Sequence, residues 1–192
     1  MYIQVTLGMY LAGAVPLVRS VLIAISQLLG GIAAAAVVLA VFPGRLAVAT
    51  SLSPGTSVGQ GFIIELFLTF ELVVTIMMLA GEKHAATFMA PIGIGLALLI
   101  AELGGVRSTG GSLNPARSFG PAVVTALAGR RGFDDEHWIY WAGPAAGAVA
   151  AAGLYRFLKV LDYERANPGQ DAANPGRAPG QDEGRIRLVD GE

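Results

Sequence analysis

The sequence predicts an all-α, multi-pass membrane protein with four full spans and two shorter, re-entrant half-helices. Of its 192 residues 54% are hydrophobic and only 14% charged, against about 25% charged in soluble domains. The charges are also segregated. Residues 1–64 carry no acid and only Arg19 and Arg45 as bases, whereas residues 160–192 hold seven of the 14 acids and four arginines. Finally, the apolar runs fall into two length classes, one able to cross a bilayer and one too short.

The runs are taken in chain order. Residues 3–18 are uncharged but number 16, and a helix needs roughly 20 to cross a hydrocarbon core of about 30 Å. Residues 21–42 supply 22 positions without a charge, bracketed by Arg19 and Arg45. Residues 61–80 give a second span carrying Glu65 and Glu71, and residues 88–106 a third carrying Glu102. Residues 113–128 are again only 16 long and contain Arg117. Residues 138–158 complete the set, with Trp138, Tyr140 and Trp141 expected as an interfacial anchor and Arg156 and Lys159 expected to snorkel at the other end. Each short run precedes a Gly- and Ala-rich full span, so one architecture occurs twice. Short, interrupted apolar segments in corresponding positions of two halves mark a site at the membrane midplane. The leading MYIQ lacks the positive n-region of a signal peptide. Residues 1–160 are therefore expected to form the transmembrane domain, and the Pro-, Gly- and Asp-rich residues 161–192 a disordered tail.

Several classes of function are excluded. A net charge of -1 without a basic cluster gives no footprint for nucleic acid. With no cysteine and only His84 and His137, neither a thiolate nucleophile nor a metal site is expected, and no cofactor is implied. Glu65, Glu71 and Glu102 are accompanied by no nucleophile with a base, so an enzyme is not expected. A carboxylate at membrane depth costs about 2.5–3.5 kcal/mol and needs partners or water. Glu65 and Glu71 lie roughly 240° apart on a helix and are expected to serve different surfaces. The Gly143 and Gly147 pair, Gly30, Gly31 and the alanines at 33–36 favour close helix packing. Asp134, Asp135 and Glu136 beside Arg130 and Arg131 read as a solvated loop, and His137 as an interface residue.

Residues 108–124, STGGSLNPARSFGPAVV, carry the chemistry. Asn114 is a favourable N-cap and Pro115 a favourable first helical residue, so a half-helix starts here with its positive end toward the midplane, where it repels cations. Gly110 and Gly111 free the backbone, letting the carbonyls of Gly110, Ser112 and Leu113 line a water-filled cavity. The Asn114 amide and the Arg117 guanidinium add donors and a fixed positive charge. Such a set passes a neutral hydrogen-bonding solute and rejects ions.

These residues resemble the aquaporin (major intrinsic protein) family. Asn114-Pro115-Ala116-Arg117-Ser118 looks like its second pore-helix signature, flanked by Thr109-Gly110-Gly111 and Phe119-Gly120. Gly59-Gln60-Gly61 followed by Glu65 resembles the start of its fourth span, and His137-Trp138-Ile139-Tyr140-Trp141 with Gly143-Pro144 the start of its sixth. Val5-Thr6-Leu7-Gly8 resembles the segment after its first pore motif. The likeness covers about residues 5–160 and implies an aquaporin-like right-handed helical bundle, a passive channel for water or for glycerol and other small neutral solutes, and a homotetramer in a lipid bilayer. It implies Glu65 as a brace for the backbone before the pore helix and Arg117, Glu102 and Gly111 as filter positions. Ser118 resembles the water-type branch, and the likeness as a whole implies a fungal-like orthodox water channel. The family has six spans and two Asn-Pro-Ala motifs; Tyr2-Ile3-Gln4 stands where the first motif falls, so the chain reads as N-terminally truncated, lacking the first two spans. A non-conducting fragment or regulatory subunit is the alternative reading. By the same likeness the tail is cytoplasmic, as are Arg19 and the loop at Glu82, Lys83 and His84, in line with an excess of basic residues on that side.

Overall fold

The computed structural model describes residues 2–44, 46–82 and 87–163, and the described residues form helices and connections without a strand. Arg45, Lys83, His84 and nearly all of the expected tail lie outside them.

Helix α1 spans Ile3–Leu11 and α2 spans Leu17–Val41. The run expected as one half-helix over residues 3–18 is thus divided. The chain turns at Gly13, whose φ of 87° suits glycine, and Pro16 caps α2 in an extended conformation. The first full span therefore starts four residues before the expected position 21, and Arg19 lies exposed in its first turn instead of bracketing it. It ends before Pro43, as a helix tends to do ahead of proline. Helix α3, Val58–Ile76, opens on a capping box in which the Gln60 N–H donates to Ser57 Oγ at 3.3 Å and the Ser57 N–H to Gln60 Oε1 at 2.8 Å. It runs on into a π-helical turn, Met77–Gly81. A 3₁₀ turn, Thr87–Met89, leads into α4, Ala90–Gly105. The half-helix α5 is Pro115–Leu127, and α6 is Ile139–Val160.

Three helical stretches are long and apolar enough to cross a membrane: Leu17–Val41, Val58–Gly81 and Thr87–Gly105. Helix α6 has the length, 22 residues, but its many glycines and alanines make it less apolar. Rows of exposed apolar side chains, such as Leu22 and Leu29 on α2 and Ile92, Leu96, Ile100 and Leu103 on α4, give these helices surfaces suited to hydrocarbon.

Backbone approach through small residues organises the packing. Helix α6 lies along α3, and α2 along α5. At Gly143 a Cβ would lie 3.0 Å from both Glu65 Cβ and the Phe62 carbonyl oxygen, and at Gly147 it would strike the Leu66 carbonyl. The Gly143 and Gly147 face is therefore the seam with α3, close packing of the kind lipid-embedded helices use. The α2–α5 seam uses Gly31, whose Cβ would lie 2.6 Å from the Ala116 carbonyl oxygen, and Gly120, whose Cβ would lie 2.5 Å from the Gly31 carbonyl carbon. Gly30 has no such neighbour. Two apolar clusters fill the interior: Val5, Val73, Met77, Ala148, Ala151 and Ala152, and Leu72, Ala97, Ala101 and Leu113.

Candidate functional site

The site forms where the connection between α4 and α5 folds back into the bundle. Its organiser is Glu65 on α3, fully buried. Oε1 accepts from the Thr109 hydroxyl at 2.6 Å and the Ser112 N–H at 2.9 Å, and Oε2 accepts from the Leu113 N–H at 2.8 Å. Three donors thus offset the desolvation of one carboxylate, which unpaired would be prohibitive. They also fix a strained backbone. Gly110, Gly111 and Leu113 have φ of 81°, 59° and 52°, and for leucine the left-handed region costs about 1–3 kcal/mol. The bond from the Leu113 N–H to Glu65 helps hold that conformation.

From the other side, the Tyr140 hydroxyl donates to the Thr109 carbonyl at 2.9 Å. Tyr140 is buried to 2% exposure, while Trp138 and Trp141 stay exposed. Of the three residues expected as an anchor, only the tryptophans keep the exposure that role needs, and Tyr140 is a positioning residue that sequence reading missed. A signal was available: positions 140, 143 and 147 lie on one helical face, the face that meets α3. Replacing Tyr140 by Phe removes one neutral hydrogen bond, worth about 1 kcal/mol. The expected result is a thermal midpoint lower by about 2–4 °C; an unchanged midpoint would show that this bond does not hold the loop.

Asn114 closes the loop and opens α5. Its Oδ1 accepts from the Ala116 N–H at 3.2 Å, as an N-cap does, and also from the Ile3 N–H at 3.3 Å. Ile3 is the first residue of α1, so the two half-helices meet N-terminus to N-terminus across one side chain. With Oδ1 occupied in this way, Nδ2 is left as a donor that no described residue engages. Beside it runs a hydroxyl chain: Thr50 donates to Ser118 at 2.7 Å, Ser118 and Ser112 share a hydrogen bond of 2.5 Å, and Ser112 donates to the Asn114 carbonyl at 3.1 Å. Pro115, Ala116 and Ser118 are buried in the first turn of α5.

Arg117 projects from the same turn. Nη1 donates to the Val48 carbonyl at 2.5 Å and Nη2 to the Gly110 carbonyl at 3.4 Å. No carboxylate among the described residues lies within ion-pairing distance of it. Gly110 and the connection between α2 and α3 therefore hold the guanidinium through neutral oxygens, with Glu102 beyond ion-pairing distance but near enough to interact with it electrostatically. Glu102 on α4 faces this loop. A Cβ on Gly111 would lie 2.5 Å from Glu102 Oε2, so the missing side chain at 111 makes room for the carboxylate at 102.

Glu71 lies away from the loop; its Oε2 is buried without a hydrogen-bond partner among the described residues. Lys159, expected to snorkel, donates to Glu82 Oε2 at 2.7 Å, and the Tyr155 hydroxyl donates to the same carboxylate. This joins the end of the π turn to α6. In the connection before α6, Arg131 pairs with Asp135 at 3.0 Å and Asp134 at 3.8 Å, all exposed.

The "Major intrinsic protein" family model matches residues 4–155. An aquaporin-7 of Botryotinia fuckeliana is 59% identical over 172 residues, which are 90% of this chain and 37% of that protein. A probable aquaporin-3 of Gibberella zeae is 49% identical over 169 residues, 88% of this chain and 57% of that protein. The X-ray structure of the aquaglyceroporin from Plasmodium falciparum shares the fold, with a TM-score of 0.71 over 84% of this chain and 74% of that one, at 22% identity. Among the first curated relatives matched, the chain spans 30% to 57% of their length. With the family model matched over most of its length, and half-helices joined end to end at Asn114, this chain belongs to the major intrinsic protein family.

Proposed function

We propose that the chain builds a passive transmembrane pathway for water, and for glycerol or other small neutral solutes, within a homotetramer whose C-terminal tail is cytoplasmic. The observation that carries this reading is the junction at Asn114, where two helix N-termini meet and the amide Nδ2 stays available as a donor. Two positive helix ends at one point disfavour a cation there, while a water oxygen can accept from Nδ2. Pro115 and Ala116 start the half-helix, and Glu65 holds the loop whose carbonyls at Gly110, Ser112 and Leu113 would accept from the solute. Arg117 would set the charge barrier at the filter, and Glu102 with Gly111 would set the filter's shape and its acceptor. The names of the fungal relatives, aquaporins, support the same reading.

Arg117→Ala tests it. Removing a fixed positive charge from the wall of a pathway lowers the barrier to cations and protons. In proteoliposomes loaded with a pH-sensitive dye, the variant is expected to dissipate a proton gradient several-fold faster than the wild-type chain. Equal rates from equally incorporated protein would show that Arg117 is not the barrier.

A further inference from the structure

The two half-helices are capped unequally. Asn114, at the N-cap of α5, takes the Ala116 N–H with its own side chain. Tyr2 holds the same place on α1 but makes no side-chain capping bond. The N–H of the next residue, Ile3, goes instead to Asn114 Oδ1, which puts Tyr2 immediately beside the junction. Its backbone is fixed there by the first turn of α1, since the Tyr2 carbonyl accepts from the Thr6 N–H at 3.1 Å and from the Thr6 hydroxyl at 3.3 Å.

The ring has a defined resting place. It packs against the cluster of Leu72, Ala97, Ala101 and Leu113, so α3, α4 and the loop before α5 support it from one side. The residue is only half-buried, and its hydroxyl makes no hydrogen bond to a described residue. The side chain is near enough to both Glu102 and Arg117 to interact with each electrostatically. A bulky aromatic group with an unengaged hydroxyl thus extends from the Asn114 junction toward these two charges. Pore diameter and the donors and acceptors on the wall decide which neutral solutes pass, and a tyrosine ring takes diameter away. We propose that the Tyr2 side chain stands in the solute pathway beside Asn114 and limits the size of the solute that passes. This role rests on the conducting pathway proposed above.

The chain contains no cysteine, so Tyr2→Cys places one thiol in an otherwise thiol-free protein. Glycerol and water permeabilities of proteoliposomes are followed by stopped-flow light scattering. Removing the ring is expected to raise glycerol permeability about fivefold or more over the wild-type chain. Methyl methanethiosulfonate, small and neutral, converts the thiolate to a methyl disulfide with loss of methanesulfinate; refilling the space in this way should reverse about half of the gain or more. The wild-type chain and Leu29→Cys, on the exposed face of α2, should not respond to the reagent. Tyr2→Asn, which gives α1 the residue that caps α5, is expected to open the pathway as the thiol variant does and serves where that variant folds poorly. Tyr2→Phe keeps the ring and should keep glycerol permeability within about twofold of the wild type. If the wild-type chain conducts water but neither small replacement passes glycerol faster, or the reagent leaves a folded Tyr2→Cys unchanged, the role of Tyr2 is overturned and the pathway stands. Wild-type vesicles no more permeable to water than empty ones would refute the pathway itself, and the role of Tyr2 with it.

Discussion

Glu65→Ala is expected to lower the thermal midpoint of the detergent-solubilised chain by more than about 10 °C and to reduce its yield. The substitution strands the Thr109 hydroxyl and the Ser112 and Leu113 N–H groups, all now bonded to one carboxylate. Hydrogen bonds to a charged group contribute about 1.5–3 kcal/mol each, and a stranded buried donor adds its own penalty. The loss of about 5 kcal/mol or more is comparable with the whole stability of many domains, and each kcal/mol moves the midpoint of a chain this size by about 2–4 °C. Glu65→Gln should fall between the two, since it keeps one acceptor oxygen but turns an NH₂ toward a donor. Circular dichroism during heating measures both. An Ala variant melting within about 2 °C of the wild type would show that the loop is held by something other than Glu65.

Gly147→Val is expected to be nearly as damaging, for a steric reason. The new Cβ would strike the Leu66 carbonyl oxygen and lie 2.9 Å from the Phe70 nitrogen. Backbone atoms cannot rotate aside as a flexible side chain can, so α3 and α6 must separate. Overpacking of this kind costs typically about 1–3 kcal/mol and can cost more where helices are forced apart. Separation would also pull Glu65 and Tyr140 away from the loop they hold between them. Gly153 lies on the same helix with no neighbour within 4 Å of a Cβ, so Gly153→Val isolates the local cost of valine in a helix. Melting of the two variants side by side decides the matter: equal midpoints would contradict the close α3–α6 seam.

What the sequence made legible was local in origin. Asn114 followed by Pro115 starts a helix on its own chemistry, and the apolar runs follow from bilayer thickness. Glycines three or four residues apart reveal a packing face. The features that escaped are long-range. Nothing near Arg117 indicates that a carbonyl 69 positions earlier, at Val48, holds its guanidinium. Nothing near Leu113 requires a positive φ until Glu65, 48 positions away, takes its N–H. Tyr140 reads as an interfacial aromatic because its neighbours at 138 and 141 are tryptophans; burial decides otherwise. The length of the apolar run over residues 3–18 does not reveal the start of α2, which is set inside that run by Pro16. Nothing near Lys159 indicates that its partner is Glu82, 77 positions away at the end of another helix.

The account stands most directly on the permeability of the reconstituted chain. Stopped-flow light scattering of proteoliposomes after an osmotic step measures it, beside empty vesicles and beside Asn114→Ala, which removes the side chain that joins the two half-helices. The wild-type chain should shrink the vesicles faster than empty ones, and Asn114→Ala should return the rate toward the empty control. Folded, inserted wild-type protein that leaves the rate equal to that of empty vesicles would contradict the assignment of a conducting pathway to these residues.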